Sequence, residues 1–190
     1  MYWLSALLPS LLAWNRLQPR VFIVNFYSSE ANEWYNVPEL DLRAQTISIP
    51  GFAPLFPDAS CTRDGLVCQL TTGQGEINAA STVTALLSSP RFDLRKTYFL
   101  LSGVGGISPK LGTLGSVTFA RYAAQTGLQH EFDAREMPEG FPSGYFAHGT
   151  TRPGEYPRWV DGTEVFEVSE GLRQVAAGLV ADRIVSHQAS

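Results

Sequence analysis

The chain has 190 residues, 44 % of them apolar and 17 % charged, which is globular composition and excludes a disordered or fibrous polymer. Lys and Arg number 14 against 18 Asp and Glu, a net charge of -4, so the basic stripe of a nucleic-acid binder is missing. The length suits one core, and 17 Gly with 12 Pro foretell many tight turns.

The most apolar stretch, Tyr2 to Trp14, is interrupted by Pro9 and followed by Asn15 and Arg16. It is shorter than the roughly 20 residues that a membrane-spanning helix needs. Residues 1–19 therefore read as a secretory signal core or a non-native leader, although the positive n-region and the small-x-small cleavage site of a signal are missing. Arg20 to Phe26 is β-branched and aromatic after a Pro, and reads as a buried strand. Ser28-Ser29-Glu30 opens a helical segment through Trp34 and Tyr35. Pro38, Pro50, Pro54 and Pro57 exclude a long helix over 37–60 and leave short extended pieces, including Thr46 to Ile49.

Cys61 and Cys68 flank Asp64-Gly65, a strong hairpin-turn dipeptide. With Asp64 and Gly65 as the turn, Cys61 faces Cys68 across the strands, about 5.5 Å apart at the α-carbons and within disulfide reach. A staple in an oxidising compartment and two buried thiols both satisfy that geometry. No nearby His or Cys completes a zinc site.

Val67 to Thr71 continues as a strand, and Thr72-Gly73-Gln74-Gly75 ends it. A helix starts at Glu76, with Ile77, Ala80, Val83, Thr84 and Leu87 on one face and Ser88-Ser89-Pro90 as its stop. Lys96 to Leu101 reads as a strand covered on both faces, and Ser102 to Gly106 as a glycine-rich turn at its carboxyl end. Leu114 to Arg121 reads as another strand, and 127–163 as a long irregular excursion. Ser169 caps a final amphipathic helix carrying Leu172, Val175, Ala176, Leu179 and Val180 to about Val185.

The order of strands and helices predicts an α/β fold with a mainly parallel sheet. Ligands in such sheets sit beyond the carboxyl ends of the strands, here marked by Phe26–Glu30, Thr72–Glu76 and Ser102–Gly106. Gly73 and Gly75 would expose backbone N–H groups at a helix start, and Gly103 to Gly106 would leave room for a flat ligand against the chain. Asn78 replaces the third glycine of a dinucleotide fingerprint, and no phosphate-loop Lys follows either cluster. His130-Glu131 lacks a second His at zinc-protease spacing, so His130 and His148 read as ordinary hydrogen-bonding side chains. No metal or cofactor is called for.

Four runs carry a resemblance: Gln69 to Ala80, Ser89 to Gly106, Pro109 to Tyr122 and Glu131 to Phe141. In this order they resemble the purine nucleoside permease family, over roughly residues 20–185. That family is in turn similar to the nucleoside phosphorylase and nucleosidase superfamily. The resemblance implies a three-layer α/β/α fold with a nucleoside phosphorylase-like mixed sheet, occupied by residues 20–190 and incomplete at the C-terminus. It implies a purine nucleoside as ligand, bound at Gly73, Gly75, Glu76, Gly103, Val104, Gly105 and Gly106, and a role in nucleoside uptake. Glu30 matches the acidic residue that positions water in nucleosidases, a role a carboxylate at a sheet's carboxyl edge suits. A helix-start carboxylate is the structural alternative. Gly103 replaces a Ser or Thr that often contacts phosphate or water, which argues against direct phosphate use.

The superfamily's ribose-binding Glu and catalytic Asp belong to a second half that would follow the helix Ser169–Val185, so the chain reads as an N-terminal, truncated portion. Three functions remain in play: a nucleoside-binding permease-family protein, a nucleosidase- or phosphorylase-like enzyme, and an inactive fragment. Transport would need a membrane partner, since no spanning segment is present. Superfamily analogy adds a homo-oligomer, and a secreted or cell-surface location is favoured over a cytoplasmic one.

Overall fold

The structure, a computed structural model, describes residues 16–188, so the apolar stretch Tyr2 to Trp14 lies outside the described residues. Among the described residues the fold is mixed α/β, with three helices and a mixed five-stranded sheet. Strand β1 is Val21–Asn25, followed by helix α1, Ser28–Tyr35. Strands β2, Gln45–Ser48, β3, Asp58–Cys61, and β4, Val67–Thr71, precede helix α2, Glu76–Ser88, and strand β5, Tyr98–Leu101. The sheet order is β2-β3-β4-β1-β5. β1 runs parallel to both β4 and β5, while β2–β3 and β3–β4 are antiparallel. The expected mainly parallel sheet is therefore half antiparallel, because the Cys61–Cys68 hairpin and β2 extend one side as a meander.

The core follows strand alternation. Phe22 and Val24 of β1, Leu70 of β4 and Ala59 of β3 pack with Leu86 of α2, Phe52 and Phe92. Side chains of the intervening positions, Asn25 and Gln69, point to the other face, where Gln69 Nε2 donates to the Ala31 carbonyl of α1 at 3.2 Å. Within the first unit, α1 thus meets this face at Ala31, while α2 meets the core face at Leu86.

The hairpin turn sits one position earlier than Asp64-Gly65 alone would place it. Gly65 N–H donates to the Thr62 carbonyl, so Arg63 and Asp64 are central, and Gly65 takes a left-handed φ of +70°. Asp64 fixes this arrangement by accepting from the Thr62 hydroxyl and Leu66 N–H. The cross-strand register is unchanged: Cys61 pairs with Cys68, and a disulfide joins them with α-carbons 4.1 Å apart.

Helix α2 turns a different face inward from the one its spacing suggested. Thr82 and Leu86 are buried, whereas Ile77 and Leu87 are 86 % and 61 % exposed. Thr82 decides the rotation, since its hydroxyl accepts the buried Ala53 N–H at 3.1 Å. β5 also departs from expectation, with Tyr98, Phe99 and Leu101 exposed rather than covered on both faces.

The chain divides into two compact units, the first ending at Gly106 and the second beginning at Ile107. In the second, Leu114 to Arg121 forms no strand, and Leu114 is almost fully exposed. The turn at Gly115, with φ of +84°, breaks the run that would have been extended. One short antiparallel pair brackets the irregular excursion and another lies within it. β6, Tyr122–Ala124, pairs with β9, Val165–Glu167, and β7, Gln129–Glu131, pairs with β8, Tyr145–Ala147. Helix α3 spans Glu170–Gln188, directly after Ser169, and Leu172, Val175 and Leu179 of its apolar series are exposed.

Candidate functional site

Three strands run parallel, so their carboxyl ends emerge at one edge of the sheet. β4, β1 and β5 are neighbours there, with Asn25 beside Thr71 and Val24 beside Leu101. Three turns leave that edge: Phe26–Tyr27 into α1, Thr72–Gly75 into α2, and Ser102–Gly106 after β5. The ladder continues past the strand ends, because Thr72 N–H donates to the Asn25 carbonyl at 2.8 Å and Ser102 N–H to the Val24 carbonyl at 2.9 Å.

Glu30 occupies the third position of α1 and is 7 % exposed. One carboxylate oxygen, Oε2, accepts the N–H groups of Phe26 at 2.7 Å and Tyr27 at 3.3 Å. The other, Oε1, accepts Val104 N–H at 2.9 Å. The carboxylate therefore caps its own helix and ties the exit of β1 to the exit of β5. A carboxylate has about four lone-pair positions, so one on Oε1 stays available to a further donor.

Gly103 makes this approach possible. A β-carbon there would lie 2.7 Å from the Phe26 ring and 3.1 Å from Glu30 Oε1. Beyond it the space opens: Val104 is 73 % exposed, and β-carbons on Gly105 and Gly106 would meet nothing within 4 Å. On the β4 side, Gly73 and Gly75 have φ of +78° and +92°, conformations that side chains resist. The turn they form is held by Asn78, whose amide reaches back to the Gln74 carbonyl at 2.8 Å. Glu76 follows as the exposed first residue of α2.

A buried polar chain, not foreseen from the sequence, lies beneath these turns. Gln69 Nε2 donates to Asn25 Oδ1 at 2.7 Å, and Asn25 Nδ2 donates to the Ser102 carbonyl at 2.7 Å. Trp34 Nε1 donates to the Ser102 hydroxyl at 3.0 Å. Asn25 and Gln69 are fully buried, and Gln69 Oε1 has no protein partner. The signal was present: each is a polar residue inside an otherwise apolar strand, where burial demands a partner.

His130 and His148 belong to the second unit, with ring centroids 5.0 Å apart, and His148 Nδ1 lies 3.8 Å from Asp161. No group of three or more metal-ligating side chains is assembled among the described residues. A shallow open groove on the outer side of α2, lined by Gly51, Ile77, Ala80, Ser81 and Thr84 among others, shares no residue with the three turns.

Comparison with known proteins brings a family into view. The family profile described as purine nucleoside permease matches residues 18–189. A purine nucleoside permease of Candida albicans is 44 % identical over 167 residues, which cover 86 % of this chain and 40 % of that protein. A probable purine nucleoside permease of Schizosaccharomyces pombe is 37 % identical over 176 residues, 88 % of this chain and 50 % of its own. The chain thus spans half or less of the length of these relatives. No solved structure matches.

Proposed function

The chain belongs to the purine nucleoside permease family, and from that premise we propose that its three strand-end turns form part of a purine nucleoside site serving uptake. The observation that carries the reading is the convergence of Glu30, the Gly73–Gly75 turn and the Gly103–Gly106 turn on one sheet edge. Gly73 is buried, but the backbone at Gly75, Gly105 and Gly106 is open, with nothing within 4 Å of where a β-carbon would stand, which suits ribose oxygens and a flat base. Helices on both faces of a partly parallel sheet support the finer reading of a nucleoside phosphorylase-like three-layer fold. No helix among the described residues is long and apolar enough to cross a membrane. The proposal assigns nucleoside binding to these residues, with a membrane partner for passage through the bilayer.

A nucleosidase-like reading draws on one specific feature, the remaining Oε1 lone pair of Glu30 beside the open space at Val104. A carboxylate so placed can orient water toward an anomeric carbon. Calorimetric titration with adenosine, guanosine and uridine separates these readings. Purine-selective binding without base release supports the binding function, and release of free base turns the site into an enzyme's. No heat with any nucleoside, in a protein that melts cooperatively, removes both.

A further inference from the structure

The turn after β5 is held from Ser102 to Val104 and open at Gly105 and Gly106. Ser102 N–H donates to the Val24 carbonyl at 2.9 Å, as the ladder requires. The Ser102 carbonyl accepts Asn25 Nδ2 at 2.7 Å, so Asn25 sets the plane of the Ser102–Gly103 peptide. The Ser102 hydroxyl accepts Trp34 Nε1 at 3.0 Å, and Val104 N–H donates to Glu30 Oε1 at 2.9 Å. Immediately beyond these ties, a β-carbon on Gly105 or Gly106 would meet nothing within 4 Å.

Gln69 decides which end of the Asn25 amide faces Ser102. Gln69 Nε2 donates to Asn25 Oδ1 at 2.7 Å, which engages the oxygen and leaves the nitrogen to point at the turn. The same Nε2 donates to the Ala31 carbonyl at 3.2 Å, anchoring the relay to α1. A chain of amides thus runs from β4 through β1 to the exit of β5. Stability alone does not account for it. Gln69 Oε1 is buried with no protein partner, an arrangement that disfavours folding and that an apolar pair of similar shape would avoid.

We propose that Asn25 is a positioning residue for ligand binding, oriented by Gln69: the pair holds the Ser102–Gly103 peptide so that the open backbone at Gly105 and Gly106 is preset for a purine base. This role rests on the nucleoside reading above. It makes affinity depend on buried residues that touch no ligand, because the apparent Kd rises as the fraction of molecules with the turn in place falls.

The test titrates adenosine and guanosine calorimetrically into the 190-residue chain and its variants, below the melting range of each. Asn25→Ala removes the amide. Thr82→Val is the matched control, since it removes a buried hydrogen bond between α2 and Ala53 N–H, away from the turn. Both should melt below the parent. Only Asn25→Ala should also bind more weakly, on the order of tenfold, as when about one molecule in ten has the turn in place. Trp34→Phe keeps an aromatic ring, loses only the indole donor to Ser102, and should weaken binding by a smaller factor. It carries the test if Asn25→Ala does not fold. Parent-like affinity in the variant that carries the test overturns the role. So does an equal loss in Thr82→Val, which would make lowered stability the cause. A parent that gives no heat with either nucleoside removes the nucleoside reading itself, and the role of Asn25 falls with it.

Discussion

The two units of the chain are held together by different physics. Every buried residue among those with described side chains lies between Pro19 and Phe92, in the unit that ends at Gly106. The unit from Ile107 onward relies on two short antiparallel pairs, a ring cluster of Phe132, Phe141 and Phe146, and exposed ion pairs. Arg121 reaches Glu167 at 2.9 Å and Glu170 at 3.8 Å, and Arg173 reaches Glu170 at 2.6 Å. Buried apolar area stabilises far more than solvated charge pairs. The first unit should therefore set the global stability, and the second should open locally at lower cost.

The sharpest way to break this comparison is a matched pair of leucines. Leu86→Ala, at a fully buried site, should cost about 2–5 kcal/mol in urea melts, while Leu179→Ala, 66 % exposed, should stay within about 0.5 kcal/mol. Equal losses would mean that α3 is as firmly packed as the sheet.

Removing the Cys61–Cys68 bond by a double Cys→Ala change should cost about 2 kcal/mol, the low end for a closed loop this short. Melting with and without reductant reads it. Gly103→Ala should cost about 1–3 kcal/mol through the contact with Phe26, with Gly105→Ala near neutral because its surroundings are open. The ratio of the two sharpens the picture of a tight seat beside free space.

The smallest expected effect is confined to the second unit and depends on pH. The guanidinium of Arg173, followed by the Gln174 amide, lowers the Glu170 carboxyl from 4.5 to about 2. A folded-state value below the unfolded one gives stability that is present above about 4.5 and lost as pH falls toward about 2. Exchange at the start of α3 should quicken across that window while β1 amides stay protected, and Glu170→Gln should abolish the pH dependence. Simultaneous loss in both units would show that they unfold as one.

Much of the first unit was legible because its signals are local. Arg20 to Phe26, Val67 to Thr71 and Lys96 to Leu101 are apolar runs punctuated by Pro and Gly, and each became a strand within a residue or two at either end. α2 was found but turned wrongly. Small and apolar residues surround it on every side, so its period names no unique face, and the Thr82–Ala53 contact made the choice. Leu114 to Arg121 misled for the opposite reason, since β propensity alone does not supply a partner strand. The pairing of β6 with β9 joins segments some 40 residues apart, beyond any local pattern. At the strand ends, the glycines and Glu30 stood out by type and position. Asn25 and Gln69 stood out as polar residues in apolar strands, but their partners did not, because a hydrogen bond between strands far apart in sequence leaves no spacing to read.

Glu30 joins the outlets of two strands by accepting from the main chain on both sides. A substitution there widens the distance between those outlets before it alters any reaction. Loss of activity in such a variant, here or in a longer relative, becomes a statement about chemistry only once its heat tolerance is shown to match that of the parent.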